Sequence, residues 1–177
     1  ESIQRKEGEL AANGAICVTT GERTGRSPND RYVVKTDDVK DDIWWGDVNV
    51  STTEGKFDHL FDRVSSFLEG KDLFVFDAYS GADKEYRLPV RIVSPKAWHA
   101  LFAQTLFVRP KKEDLESFIP GFTVIDCSED LQLDPEKDGF GSPVAIAVNF
   151  KKKMILVAGS GYGGEMKKGI FAVMNYL

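Results

Sequence analysis

Two lysines, Lys167 and Lys168, stand side by side just past the glycine-rich run Gly159-Ser160-Gly161-Tyr162-Gly163-Gly164. The run follows a hydrophobic stretch and opens a helical one, so backbone N–H groups there can converge on an anion. Positive charge at the start of a helix opposes the helix dipole. The pair therefore calls for a bound anion, a metal or the carboxylate of Glu165 as compensation. A lysine desolvated beside another cation gives up its proton more readily, and a neutral amine can coordinate a metal. The plain alternative is that both side chains extend into solvent. Gly159, Gly161 and Gly164 satisfy the GxGxxG spacing of dinucleotide-binding turns. The acidic ribose-binding residue of that motif would fall about 20 positions on, beyond Leu177, so the match carries little. The phosphate-loop pattern fails, because neither Gly164 nor Gly169 is followed by Lys and Ser or Thr.

A second chemically capable segment is Thr24-Gly25-Arg26-Ser27-Pro28-Asn29-Asp30-Arg31-Tyr32. Arg26 lies on a tight loop, and its guanidinium is a natural fork for a carboxylate or a phosphate. Its plain alternative is a surface arginine paired with Glu22 or Asp30. Ser27 and Asp30 serve equally as turn-formers or ligands. His59 and His99 each stand alone on an amphipathic helix and read as structural. Cys127 has no neighbouring His to activate it as a nucleophile. Trp44-Trp45 and the stripe Trp98, Phe102, Phe107 read as core, and the carboxylates of Asp37–Asp42 and Glu129–Asp138 as solvated loops.

Strands and helices must hold these groups in place. Ala15–Thr20 and Arg31–Lys35 are expected strands flanking the arginine loop. A helix capped at Ser51–Thr53 runs to about Leu68, with Phe57, Leu60, Phe61, Val64 and Leu68 on one face. Leu73–Asp77 and Leu88–Val93 are strands, and Pro89 assigns the second to a sheet edge. Ser94-Pro95 opens a helix through Thr105, and Pro110 a shorter one ending before Pro120. Phe122–Ile125, Val144–Phe150 and Met154–Ala158 are strands, the last two joined by three lysines, and a helix follows Gly164. The interleaving gives an α/β class: a mixed β-sheet with flanking helices.

At 177 residues and 19.7 kDa, one domain is expected, burying about 70% of its unfolded surface. Hydrophobic residues make up 42% of the chain, which excludes a disordered protein. The longest aliphatic runs are five residues, against about 20 for a membrane span. A net charge of −5 and a pI near 5.1 argue against a nucleic-acid binder, though not against a small anionic ligand. Cys17 and Cys127 form no disulfide or metal pattern and are expected reduced and buried, as in the cytoplasm. Glu1–Lys6 lacks the apolar core of a signal peptide. The start at Glu1 and the uncapped apolar run Ile170–Leu177 read as the ends of a piece of a longer protein.

Several stretches together resemble the N-terminal part of the ATP-dependent phosphoenolpyruvate carboxykinases. They are Thr24-Gly25-Arg26-Ser27-Pro28; Trp44-Trp45-Gly46-Asp47-Val48-Asn49; Asp77-Ala78-Tyr79-Ser80-Gly81-Ala82 with Arg87-Leu88-Pro89-Val90-Arg91; and Tyr162-Gly163-Gly164-Glu165-Met166-Lys167-Lys168. Trp98-His99-Ala100-Leu101-Phe102 and Phe107-Val108-Arg109-Pro110 match as well. The likeness runs from about Asn13 to Leu177.

The resemblance implies a gluconeogenic lyase that decarboxylates oxaloacetate and phosphorylates the enolate with ATP, giving phosphoenolpyruvate, CO2 and ADP. It implies Arg26 as the arginine that binds the substrate carboxylate and helps place CO2. Tyr162 would be the tyrosine that contacts substrate, Lys167 the lysine near the transferred phosphate, and Lys168 a ligand of catalytic Mn2+ that also meets substrate and nucleotide. Mg2+ would accompany ATP. Ser160-Gly161 stands where the family usually has Thr two residues before this tyrosine. The hydroxyl is kept, and the glycine is expected to loosen the loop.

By the same resemblance, residues 1–177 form part of a substrate-side domain. The nucleotide-binding domain with its phosphate loop lies outside them, the piece alone is inactive, and the complete enzyme is a cytoplasmic monomer. Two other readings stand beside it: a non-catalytic anion-binding module using Arg26, Lys167 and Lys168, and an interaction domain with no site. A GTP-using carboxykinase is the nearest catalytic alternative.

Overall fold

The most apolar stretches form the middle of the sheet. In the computed structural model, which describes residues 1–177, every residue of Ala145–Asn149 is buried, and so are four of the five in Met154–Ala158. In chain order the strands are β1 (Gly8–Leu10), β2 (Ile16–Val18), β3 (Arg31–Val34), β4 (Val50–Thr52), β5 (Phe74–Ser80), β6 (Leu88–Ser94), β7 (Phe122–Asp126), β8 (Ala145–Asn149) and β9 (Met154–Ala158). The helices are α1 (Glu54–Leu68), α2 (Ala97–Leu106), α3 (Lys112–Leu115), α4 (Pro135–Asp138) and α5 (Gly164–Tyr176). β1 and β2 make a separate antiparallel pair, and the other seven strands form one sheet ordered β4-β3-β8-β9-β7-β6-β5. Its pairs are parallel except β8–β9 and β5–β6. The fold is therefore the mixed α/β sheet with flanking helices that the sequence leads one to expect.

Alternation along β8 and β9 sends side chains to two cores, as the two-residue strand period requires. Ile146, Val148, Ile155 and Val157 pack with Met166, Ile170 and Val173 of α5 and Ala103 of α2. Ala145, Ala147, Leu156 and Ala158 pack with Phe57, Leu60 and Val64 of α1. Burying each such Leu or Phe side chain contributes about 1.5–3 kcal/mol. α1 begins where expected: the Thr53 side chain accepts from the Lys56 N–H, and the helix ends at Leu68. No helix is long and apolar enough to cross a membrane.

The structure corrects five expectations. Pro89 is not on an edge strand, since β6 lies between β7 and β5, and β5 is the edge. Opposite Pro89, the backbone of Tyr79 bonds Val108 instead. The Pro89 carbonyl accepts from Gly121, and β7 starts beside Val90, so the missing N–H leaves no gap in the ladder. Trp44 is 90% exposed, because its loop packs Trp45 and Ile43 against the sheet instead. Phe102 is also exposed, on the open face of α2, whereas Trp98 and Phe107 are buried. Asp138, expected in a solvated loop, is buried and accepts from the Asp134 N–H at 2.8 Å. Burial by itself would raise its pKa, but that N–H together with His59 and Arg63 holds it below the ordinary carboxylate range. Cys17 is exposed, because its strand belongs to the small outer pair.

The thiols therefore differ. Cys127 is fully buried, and burial together with the charges of Asp126 and Asp130 pushes it up to about 12. A disulfide reagent at pH 8 is expected to titrate Cys17 alone in the native protein, with Cys127 appearing only in denaturant. Two reactive thiols without denaturant would contradict this packing.

Candidate functional site

Two segments meet at the end of the sheet: the turn from β9 into α5, and the loop from β2 to β3. The turn is set by small residues. Gly159 has φ +78, a conformation open to glycine. A Cβ at Gly159 would overlap the Pro143 carbonyl oxygen, and one at Gly161 would overlap the Glu129 carboxylate. Ser160 is buried, and its Oγ accepts from the Tyr162 N–H at 3.3 Å. The Tyr162 ring lies over Gly164, where a Cβ would strike it.

The stripe Met166, Ile170 and Val173 seats α5 on the sheet. Gly169 brings the helix so close that a Cβ there would lie 3.0 Å from Ile155 Cδ1. This seating leaves Lys167 exposed and Lys168 half-buried, with Lys168 Nζ 5.2 Å from the centre of the Phe171 ring.

Glu165 does not neutralise the lysines, as the sequence had suggested it could. It is 1% exposed and turned inward, where Oε1 accepts the Ser27 N–H at 2.7 Å. Burial pushes its carboxyl up, and the Ser27 N–H with the charges of Arg31 and Arg26 opposes this. Arg31 donates to the Lys168 carbonyl at 3.2 Å. Burial lowers the Arg31 pKa, Glu165 opposes that shift, and the charge of Arg26 adds to it. The Arg26 loop is thus tied to the first turns of α5 by two long-range bonds, from Ser27 and Arg31, both just after Arg26 in the chain. Arg26 itself is exposed. Asp30, one of its expected partners, instead meets Arg23 at 3.5 Å and accepts from Ser142 Oγ at 2.6 Å.

Tyr162 is half-buried and borders an apolar hollow of about 440 Å³ with Val18, Trp98, Leu101 and Phe102. The structure therefore gathers Tyr162, Lys167 and Lys168 on one turn and helix start, with the Arg26 loop bonded to it. It also adds Glu165 and Arg31, which sequence reading did not assign as links. Glu165 was detectable: the steps 165, 166, 169, 170, 173 trace the buried face of α5, and a carboxylate on such a face needs a donor.

This link carries a prediction. Glu165→Ala orphans the Ser27 N–H and is expected to cost about 1–3 kcal/mol of stability, whereas Glu165→Gln keeps an acceptor and costs less. Because the folded carboxyl is raised, the folded state holds its proton more tightly than the unfolded chain does. Stability therefore falls as pH rises above the ordinary Glu value of 4.5. Urea midpoints from pH 4 to 7 should fall more steeply in the parent protein than in Glu165→Gln, where the decline that remains comes from Asp126, whose carboxyl is also raised by burial. Parallel curves would refute the burial of an ionisable Glu165.

A family model described as phosphoenolpyruvate carboxykinase matches residues 1–177. Phosphoenolpyruvate carboxykinase (ATP) 1 of Salinibacter ruber is 50% identical over 177 residues, covering 100% of this chain and 33% of its own length. Phosphoenolpyruvate carboxykinase (ATP) 2 of Moorella thermoacetica is 50% identical over 176 residues, 99% of this chain and 33% of its own. The Thermus thermophilus phosphoenolpyruvate carboxykinase (ATP) is 44% identical over 180 residues, 99% of this chain and 34% of its own. The chain thus spans about a third of the length of the curated relatives it matches.

Proposed function

This chain belongs to the phosphoenolpyruvate carboxykinase (ATP) family, and on that premise we propose that its polypeptide converts oxaloacetate and ATP to phosphoenolpyruvate, CO2 and ADP in gluconeogenesis. Residues 1–177 contribute the substrate side, as part of an N-terminal domain. Nucleotide binding by a phosphate loop belongs to the remaining two thirds of the relatives' length, so these residues alone do not transfer phosphate. The observation that carries the reading is the double tie between the Arg26 loop and the Lys167–Lys168 helix, Ser27 to Glu165 and Arg31 to the Lys168 carbonyl. It holds an exposed guanidinium on the same framework as two lysines whose neighbouring carboxylate in sequence, Glu165, faces inward.

The proposed chemistry breaks the C–C bond to the carboxyl that leaves as CO2, and its electron pair forms the enolate. The enolate oxygen then attacks the γ-phosphorus of ATP, and ADP departs. Arg26 forks onto the substrate carboxylate and fixes the bond to be broken. Tyr162 borders the same substrate from the glycine turn. Lys167 places positive charge beside the phosphoryl group in transfer.

Lys168 touches substrate and nucleotide and offers a nitrogen ligand to Mn2+, while Mg2+ travels with ATP. Lys168 fits such a role as far as its own surroundings go: it is half-buried and the neighbouring Glu165 is turned to Ser27, and its amine would be one ligand among others supplied outside residues 1–177. When bound, the metal supplies charge to the developing enolate and to the phosphoryl group. The "(ATP)" in the relatives' names supports ATP over GTP. A cytoplasmic, monomeric enzyme is part of the same proposal.

The test is an assay of the polypeptide at the full length of its relatives with oxaloacetate, Mg2+, Mn2+ and either ATP or GTP. Equal amounts of phosphoenolpyruvate and CO2 with ATP are expected. Turnover with GTP alone would correct the nucleotide, and silence with both would leave an anion-binding module.

A further inference from the structure

His99, on the first turns of α2, is fully buried although it is ionisable. Its Nε2 lies 3.4 Å from the Gly161 carbonyl oxygen. That oxygen can only accept, so Nε2 carries a hydrogen and donates it. On the other side of the ring, Nδ1 faces Ser94 Oγ at 3.3 Å and Asp126 Oδ1 at 3.5 Å. Ser94 and Asp126 are fully buried too. Asp126 Oδ1 accepts the Ser128 N–H at 2.9 Å, and its Oδ2 has no partner. A buried carboxylate left half-satisfied is costly, so some gain must offset it. Burial raises the Asp126 pKa and the nearby His99 opposes the rise only in part; by position, Ser94 and Asp126 together hold the Nδ1 side of the ring.

The hydrogen bond from His99 falls on a particular peptide unit. The Gly161 carbonyl and the Tyr162 N–H belong to the same planar group. The carbonyl is held by His99, and the N–H is held by Ser160 Oγ at 3.3 Å. Rotating that plane breaks both bonds at once. Gly161 has no side chain of its own to hold that plane, and Tyr162 follows it directly.

We propose that His99, backed by Asp126, is a positioning residue for Tyr162: it clamps the Gly161–Tyr162 peptide plane and thereby aims the phenol at the substrate. The aiming half rests on the function proposed above, and the clamping half does not. A histidine placed for packing alone would be equally served by an apolar ring of similar size, and would have no reason to face a carboxylate.

The test uses the full-length polypeptide with His99→Phe, His99→Gln, Asp126→Asn and Tyr162→Phe, and reads amide hydrogen exchange beside steady-state kinetics. In His99→Phe the Tyr162 amide is expected to exchange about tenfold faster or more, while amides of β8 are unchanged. The KM for oxaloacetate should rise about tenfold with kcat altered less than about threefold. His99→Gln, which still offers an N–H to the Gly161 oxygen, should recover most of both effects, and Asp126→Asn should fall between. In a Tyr162→Phe background, His99→Phe should add no more than about twofold.

Unchanged Tyr162 exchange, equal effects of Phe and Gln, or full additivity with Tyr162→Phe would each overturn the proposal. If His99→Phe does not fold, Asp126→Asn decides it through the same exchange reading: faster Tyr162 exchange supports the clamp and parent-like exchange overturns it. An inactive parent protein would overturn the assigned reaction and the aiming with it, and the clamp would then be judged on exchange alone.

Discussion

Lys168→Ala in the full-length polypeptide is expected to lower kcat by about 10²–10³-fold, the usual size for removing one preorganised charge from a reaction centre. The residue sits half-buried in the first turns of α5, beside the exposed Lys167. The one carboxylate nearby in sequence, Glu165, is committed to Ser27. The positive end of the helix dipole adds to the charge of both lysines, so an anion or a metal–anion pair placed there gains more than it would at a surface lysine. The proposed metal role separates from plain electrostatics by a second substitution. Lys168→Arg keeps the charge, but a guanidinium does not give up its proton and is no amine ligand. Activity is expected to stay low in Lys168→Arg, with the Mn2+ requirement shifted to higher concentration in both variants. Full activity in Lys168→Arg would remove metal ligation from the assignment. Arg26→Ala should differ in kind, mainly raising the KM for oxaloacetate, because its task is to hold a carboxylate. Unchanged kinetics in both Ala variants would sink the site.

Gly159→Ala is expected to be the most damaging small substitution for stability, costing about 3 kcal/mol or more. Two causes add. The backbone at Gly159 has φ +78, which costs an L side chain on the order of 1 kcal/mol. The new Cβ would also overlap the Pro143 carbonyl oxygen. That oxygen cannot move aside cheaply, because it accepts the N–H of buried Leu133 at 3.0 Å. Gly159 N–H donates in turn to Ser128 O at 3.0 Å, so a shift of the turn would break a second bond. For a chain of this size the loss corresponds to a Tm drop of about 6–12 °C. Gly55→Ala is the control, since a Cβ there meets nothing within 4 Å; in helix α1 it should leave stability unchanged or raise it by up to about 1 kcal/mol. A melt of Gly159→Ala within a degree or two of the parent would show that the turn is looser than its packing implies.

Much of this was readable from local pattern. Phe57, Leu60 and Val64 recur at the helical period, and Thr53 precedes them with a capping hydroxyl, so α1 could be drawn nearly to the residue. The apolar stretches Val144–Phe150 and Met154–Ala158, joined by three lysines, could be read as strands, and the structure pairs them antiparallel as β8 and β9. The glycine turn, the lysine pair and the arginine loop were visible as chemistry because residue type and spacing are local facts. Their family likeness followed from the same facts. The short strand β4 and the four-residue helices α3 and α4 were missed or misplaced because segments that brief carry no period to detect.

What the sequence determined by itself, then, was which residues could act and which stretches were apolar enough to be buried. Only the tertiary structure decided how they face one another. It put Pro89 inside the sheet, because strand order brings Val108 to Tyr79 and leaves no N–H wanting. It turned Glu165 from the lysines to Ser27 and gave the buried His99 a carbonyl on one side and a carboxylate on the other. It left Cys17 and Trp44 in solvent. Each outcome depends on partners tens of residues away. A donor's worth, a carboxylate's charge and an aromatic's burial are set by what the folded chain brings within a few ångströms, not by the neighbours written beside them.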